Sequence, residues 1–305
     1  MTKQKIKWKR AIPIYIMALP TLIYLIINNY IPMFGMIIAF KNLDFKVGIL
    51  KSEWIGLENF KFLFRTKDAW TITRNTLLYN LVFIVLGIVI GVGIAICLNE
   101  IRSRIRLKIY QSIILIPYLM SWVVISYLVY SVLAVDTGFV NKSILEPLNV
   151  GAVNWYMQPK YWPVILTVLN IWKSMGFTSV MYYSSIIGIQ TEIFEAAKID
   201  GATHTQQIRY ITLPLLKPTI ITLALLNLGH IFNSDFGLFY QIPKNSGLLY
   251  STTRTLDVYV YNALMNNNDY AMSSAASVYQ SVVGFATLMI ANGIIRKVNN
   301  ENALF

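Results

Sequence analysis

Polar and charged side chains inside long apolar runs are the residues of this chain whose types and spacing could do chemistry. Lys173 lies midway along one such run, and Asn227, His230, Asn233 and Asp235 cluster along the next. Charge at membrane depth is costly, so such groups face a cavity or a partner. Asn227, His230 and Ser234 recur at helical steps, which places them on one face if the run is a helix. The competing reading is that these groups only tie helices together by hydrogen bonds. Asp235 also falls near the end of its run, at the outer water boundary, where a charge needs no partner. Other chemistries lack residues. There are two histidines, His204 and His230, and one cysteine, Cys97, so no metal framework is expected. No G-x-S-x-G elbow occurs, and no G-x-x-x-x-G-K-[ST] phosphate loop.

The elements that must position these groups follow from composition. The 305 residues are 56% hydrophobic and only 13% charged, with a mean hydropathy of +0.54. A soluble domain carries about 25% charge. Six apolar segments stand out, at roughly 11–40, 73–98, 109–133, 161–187, 218–240 and 273–295, each near or above the roughly 20 residues that span a bilayer. Backbone groups in lipid must pair internally, so these are expected to be helices. The ten-residue alternating segments of a barrel are absent. Net charge is +12. No nucleic-acid motif accompanies it, and the basic residues read instead as cytoplasmic flanks.

Those flanks orient the chain. Lys3, Lys5, Lys7, Lys9 and Arg10 precede the first span, Arg102, Arg104, Arg106 and Lys108 follow the second, and Arg296 and Lys297 follow the sixth. With six spans all three lie on one side, expected to be cytoplasmic. The 41–72 loop is basic too, but it is long and mixed with Asp44, Glu53, Glu58 and Asp68, and is placed outside. The expected organisation is a basic cytoplasmic stretch over 1–10, a retained first span with no clear signal-peptide cleavage site, a six-helix membrane domain over 11–295 and a cytoplasmic tail over 296–305.

The loop at 188–217 falls on the same inner side and turns polar and alanine-rich. Glu192 to Asp200 holds good helix formers, with Thr191 placed to cap them. Gly201 offers a turn with positive φ. A second helix is expected over 204–210, ended by Pro214 and Pro218. A helix–turn–helix on this face reads as a docking surface.

The spacing Glu195-Ala196-Ala197, Gly201, Ile211, Leu213-Pro214 is similar to the EAA loop of ATP-binding-cassette importer permeases. "WIGLENFKFLF" at 54–64, "NTLLYN" at 75–80, "IPYLMSWVVIS" at 116–126, "NIWKSMGF" at 170–177 and the ending from "QSVVGF" to "ENALF" resemble the maltose-type sugar permeases, in a polysaccharide- and aldouronate-like branch. One departure is Thr191, where relatives often have proline. The resemblance implies a coupling helix that inserts into a cleft of a partner ATPase. Glu195 would face a basic residue there, Ala196 and Ala197 would let the helix seat deeply, and Gly201 would permit the turn after Asp200. An isolated glutamate of this kind would be only a solvated carboxylate. The resemblance further implies a second permease, two ATPases that use ATP and magnesium, and an extracellular binding lipoprotein that delivers an oligosaccharide. This chain itself is expected to bind no cofactor and to be no enzyme. In that setting Tyr118, Trp122 and Trp172 would supply rings for sugar faces, beside Lys173, Asn227, His230, Asn233 and Asp235. Pairing of Lys173 with an acidic sugar is a further expectation.

The alternative is a stand-alone secondary transporter or channel. That reading predicts inverted repeats and coupling-ion carboxylates at the midplane. Acidic residues are nearly absent from the spans and no repeat is clear. An intramembrane enzyme would lack catalytic groups. Gly87, Gly91 and Ala95 form a small-residue row that favours close packing of the second span. The many tyrosines and tryptophans are partly interfacial belt residues. "NKS" at 141–143 matches a glycosylation acceptor, a string short enough to arise by chance.

Overall fold

The computed structural model describes residues 8–61 and 67–298. Lys3, Lys5, Lys7, Arg65 and the end of the expected tail lie outside the described residues. The described chain is helical apart from one two-stranded hairpin. Its helices are α1 (Trp8–Leu25), α2 (Lys67–Asn99), α3 (Arg104–Leu119), α4 (Trp122–Leu133), α5 (Trp162–Ile186), α6 (Thr191–Ile199), α7 (His204–Gln207), α8 (Leu213–Gly229), α9 (Phe236–Gln241), α10 (Leu256–Asn267) and α11 (Tyr270–Val298), with shorter turns between them. Five helical segments are long and apolar enough to cross a membrane. Among the described residues the pair α3 and α4, bent by 94°, makes a sixth when counted as one span.

The chain divides into two compact units, one of Met1–Phe64 with Asn262–Tyr279, the other of Arg65–Tyr261 with Gln280–Phe305. In the first, α1 carries Pro13 and Pro20, and the helical path continues through a π turn and a 3-10 turn to Phe40. Strands β1 (Lys41–Asn42) and β2 (Glu53–Trp54) then pair antiparallel, Lys41 opposite Trp54. The 54–64 motif supplies the clasp. Trp54 stacks on Phe40 at 5.7 Å, and the Asn59 amide donates to the carbonyls of Ala39 and Lys41, both at 2.9 Å.

In the second unit α2 and α5 pack along their length. A Cβ at Gly91 would press within 3.1 Å of Thr178 and Tyr182, and Ala95 is fully buried beside Tyr182 and Ile186. Gly87 meets nothing within 4 Å, so the expected packing row is used at two of its three positions. Gly176 lets α5 touch the backbone of α3, because a Cβ there would overlap the Ile114 carbonyl.

The third span is not the straight helix expected over 109–133. Met120 is extended, with ψ of 139°. Pro117 sits in the last turn of α3, and Ser121 starts α4 by accepting from Val124 N–H at 3.3 Å.

Candidate functional site

The fifth span ends earlier than expected. It was expected to run over 218–240, but α8 ends at Gly229 and α9 begins at Phe236, with non-helical backbone between. Asn227 stays on the helix. His230, Asn233, Ser234 and Asp235 do not, so the shared-face reading fails for Ser234. Unpaired backbone inside a membrane is tolerated only where protein satisfies it. Here side chains do so. Asn80 donates to the carbonyls of Ile231 at 2.7 Å and Asn233 at 2.9 Å. Gln280 donates to the Phe232 carbonyl at 2.8 Å. The Ser234 N–H and hydroxyl both donate to Asp257, at 2.6 and 2.7 Å. Asp235 caps α9 by accepting from Leu238 N–H at 3.2 Å. Close approach helps: a Cβ at Gly284 would stand 2.8 Å from the Gly229 carbonyl.

Beside this break lies a cavity of about 440 Å³. Asn80, Phe83 and Gly87 line it from α2, Asn170, Ser174, Phe177 and Thr178 from α5, Asn227 from α8, and His230 and Asn233 from the break. Three of the expected path residues, Asn227, His230 and Asn233, are thus brought together. Apart from His230 the lining carries no ionisable group except the Tyr182 phenol. Amides, hydroxyls and rings in a concave site suit a polyhydroxylated neutral surface. Sequence reading missed Asn80, Asn170 and Ser174, although each is a polar residue in an apolar run, the same signal that pointed to Asn227.

The remaining expected path residues do not line that cavity. Lys173 donates to the carbonyls of Pro117 at 3.1 Å and Tyr118 at 2.9 Å, and also to that of Met120. These carbonyls lie at and just past the end of α3, where that of Pro117 also accepts from the Met120 N–H, and a cation there complements the helix dipole. Its ammonium sits 5.2 Å from the Trp122 ring centre and 5.8 Å from that of Tyr118. The Trp122 indole N–H donates to Asp235 at 2.7 Å, and Trp122 lies against Gly237, where a Cβ would overlap the indole. Tyr118 stacks on Phe177 at 4.7 Å. Trp172 packs against the buried cluster around Trp162 and Leu166. Lys173, Tyr118, Trp122 and Asp235 therefore form a clamp that ties the bend between α3 and α4 to the break after α8.

At the α5–α8 connection, α6 covers the expected first helix, and Gly201 follows with φ of +81°. The cap differs from expectation. Gln190 occupies the N-cap position, with no side-chain bond, and Thr191 is the first helical residue. Thr203 caps α7 in a reciprocal capping box with Gln206. Pro214 and Pro218 do not end the second helix. A π turn at Ile208–Thr212 leads straight into α8, and such a turn accommodates backbone groups that a proline frees. Glu195, Ala196, Asp200, Gly201, Leu213 and Pro214 are exposed, and Ala197 is half-buried. Ile199 is 87% exposed and Tyr210 66%, both apolar bodies on a polar loop. His204 pairs with Glu100 at the end of α2 at 2.8 Å, and Gln207 donates to the Ala202 carbonyl at 3.1 Å. These contacts anchor the loop and leave its tip uncovered.

Comparison with known proteins agrees with this architecture. Residues 83–300 match the family described as binding-protein-dependent transport system inner membrane component. The polygalacturonan/rhamnogalacturonan transport system permease protein YteP of Bacillus subtilis (strain 168) is 32% identical over 292 residues, 94% of this chain and 89% of that protein. Two crystal structures share 31% identity. A bacterial ABC transporter involved in the import of the acidic polysaccharide alginate superposes with a TM-score of 0.86, covering 95% of this chain and 97% of that one. A bacterial alginate ABC transporter in complex with alginate pentasaccharide-bound periplasmic protein gives 0.85, covering 95% and 96%. Membrane-length helices lining a polar cavity, with an exposed helical loop between α5 and α8, have the build of a transport subunit. The chain belongs to the binding-protein-dependent transport system inner membrane component family and is the multi-pass permease of an ATP-binding-cassette importer.

Proposed function

We propose that this permease forms half of the path for an oligosaccharide delivered by an extracellular binding protein, and that partner ATPases drive it through the 188–217 loop. One observation carries the reading. An exposed helix ending in Ile199 and a left-handed Gly201 projects from a well-anchored base, while the neutral polar cavity lies within the span region. Exposed apolar side chains on a rigid tip are what a cleft on another protein binds. In this reading Glu195, Ala196, Ala197, Asp200, Gly201, Leu213 and Pro214 form the ATPase-docking face. Asn227, His230 and Asn233 lie on the substrate path. The termini and the docking loop are cytoplasmic, in keeping with the basic flanks. A second permease completes the path, and two ATPases consume ATP and magnesium, which this chain, without a phosphate loop, does not bind.

The test is crosslinking. In a Cys97→Ser background, which removes the one native cysteine of this chain, a thiol is introduced by Ile199→Cys. It should couple to a cysteine placed on the ATPase cleft, and ATP binding should change the yield. Transport of sugar by the purified chain without any ATPase would overturn the assignment. The saccharide class is read from the uptake profile of a strain lacking the chain, across neutral and acidic oligosaccharides.

A further inference from the structure

A second pocket, also about 440 Å³, lies at the opposite end of α5 from the docking loop and shares no lining residue with the central cavity. Tyr130, Asp136, Asn154, Tyr156, Lys244 and Ser246 line it. The Lys244 ammonium sits 3.2 Å from the Tyr130 ring centre and 5.9 Å from that of Tyr156. Tyr130 and Tyr156 meet edge to face at 5.7 Å. Ring faces hold a cation in place without neutralising it. No carboxylate pairs with Lys244 among the described residues, and Asp136 is likewise exposed without an ion pair there. The Tyr156 hydroxyl is buried without a partner, and burial, with Tyr130 adding to it, pushes the phenol up to about 12. It stays neutral, so the lysine's charge is not cancelled from behind.

The pocket walls are built. Lys244 and Asn245 both adopt left-handed backbone, with φ of 54° and 47°, which asparagine takes readily but lysine holds only when its surroundings impose it. The Asn245 N–H donates to the Tyr240 carbonyl at 3.0 Å, and the Tyr250 hydroxyl donates to the Asn245 side chain at 3.0 Å. On the other wall the buried Asn141 donates to the carbonyls of Val135 at 3.0 Å and Val153 at 2.9 Å, and accepts from the Trp155 indole at 3.1 Å. The glycosylation match is thus the knot that ties this loop.

We propose that this outer pocket is a subsite for an acidic saccharide, with Lys244 receiving a carboxylate and the rim of Asp136, Asn154 and Ser246 meeting its hydroxyls. The proposal rests on the reading of the chain as an oligosaccharide permease and adds the charge class of the cargo. The central cavity offers no lysine or arginine for such a carboxylate. The outer pocket does.

The experiment uses the assembled importer in lipid nanodiscs, with Cys97→Ser and a reporter thiol from Ser246→Cys. A hexuronic-acid trisaccharide should slow maleimide labelling of that thiol, and its carboxyl-reduced neutral counterpart should protect far less. Lys244→Asn removes the charge and suits left-handed backbone. It should raise the half-protecting concentration of the acidic sugar about tenfold, the loss of one charge-assisted contact. Lys244→Arg should restore protection. Absence of protection, equal protection by the neutral sugar, or no effect of Lys244→Asn would overturn the subsite. Whole-cell uptake separates the two readings. If a strain lacking the chain loses acidic-saccharide uptake while the thiol stays unprotected, only the pocket assignment fails. If that strain loses no oligosaccharide uptake at all, the permease reading for saccharides fails with it.

Discussion

Lys173→Met separates a structural cation from a substrate-binding one. The ammonium serves three carbonyls at the end of α3, those of Pro117, Tyr118 and Met120. Methionine keeps the length and removes every donor. A hydrogen bond from a charged group contributes about 1.5–3 kcal/mol when well buried. This site is partly open, so screening reduces each contact, and a total of roughly 2–3 kcal/mol is expected for the three. At about 2–4 °C per kcal/mol that lowers the thermal midpoint by roughly 5–10 °C. The assay is fluorescence-detected unfolding of the solubilised importer, run beside uptake of one neutral and one acidic oligosaccharide. Uptake of both should fall by the same factor, because the bend and not the cargo has lost its partner. Lys173→Arg should lie between. An unchanged midpoint with selective loss of acidic uptake would refute the clamp and restore Lys173 as a substrate contact.

Further outcomes follow from the geometry. Asn80→Leu leaves the Ile231 and Asn233 carbonyls without their donor and should destabilise by about 1–3 kcal/mol, read as a lower thermal midpoint, whereas a leucine substitution at the cavity-lining Asn170 should act on uptake and not on stability. Gly201→Val should impair coupling, seen as lost stimulation of ATPase activity. A Cβ there meets nothing within 4 Å, so its cost, about 1–2 kcal/mol, is purely that of left-handed backbone, and Gly201→Asn should be better tolerated. Tyr156→Phe removes a buried hydroxyl with no partner and should leave stability unchanged or raise it by up to about 1 kcal/mol. The same phenol gives a pH test. Its pKa of about 12 in the fold exceeds the ordinary 10, so above pH 10 the unfolded chain loses a proton that the folded one keeps. Stability should fall between pH 10 and 12, by at most roughly 2 kcal/mol, and Tyr156→Phe should abolish that portion. Glu100→Gln weakens the contact with His204, whose side chains are about half exposed, and should cost less than about 1 kcal/mol, checked by the same melt.

The helical membrane class was legible in the sequence because lipid allows a spanning segment few choices. Apolar runs of the right length must close their own hydrogen bonds, and the expected runs are largely helical, giving five membrane-length helices and one bent pair among the described residues. The 191–201 helix and its turn were legible for a local reason: alanine and glutamate favour helix, and a glycine after the last turn takes the left-handed conformation, as Gly201 does. Thr191 misled because capping depends on where the backbone enters the helix, and Gln190 takes that position. Pro214 misled because a proline's lost bond is absorbed by a π turn that no propensity encodes.

What the tertiary structure alone decided is where the helices stop being helices. Asn233, Ser234 and Asp235 are residues that favour a helix end, but the side chains that satisfy the backbone there come from Asn80, Asp257 and Gln280, as far as 151 positions away. The same holds for Lys173, a free charge when read along the chain and a capped one in space. Sequence fixes which polar groups enter the membrane. Only the packing of distant spans decides which are consumed by backbone and which are left to face the cavity.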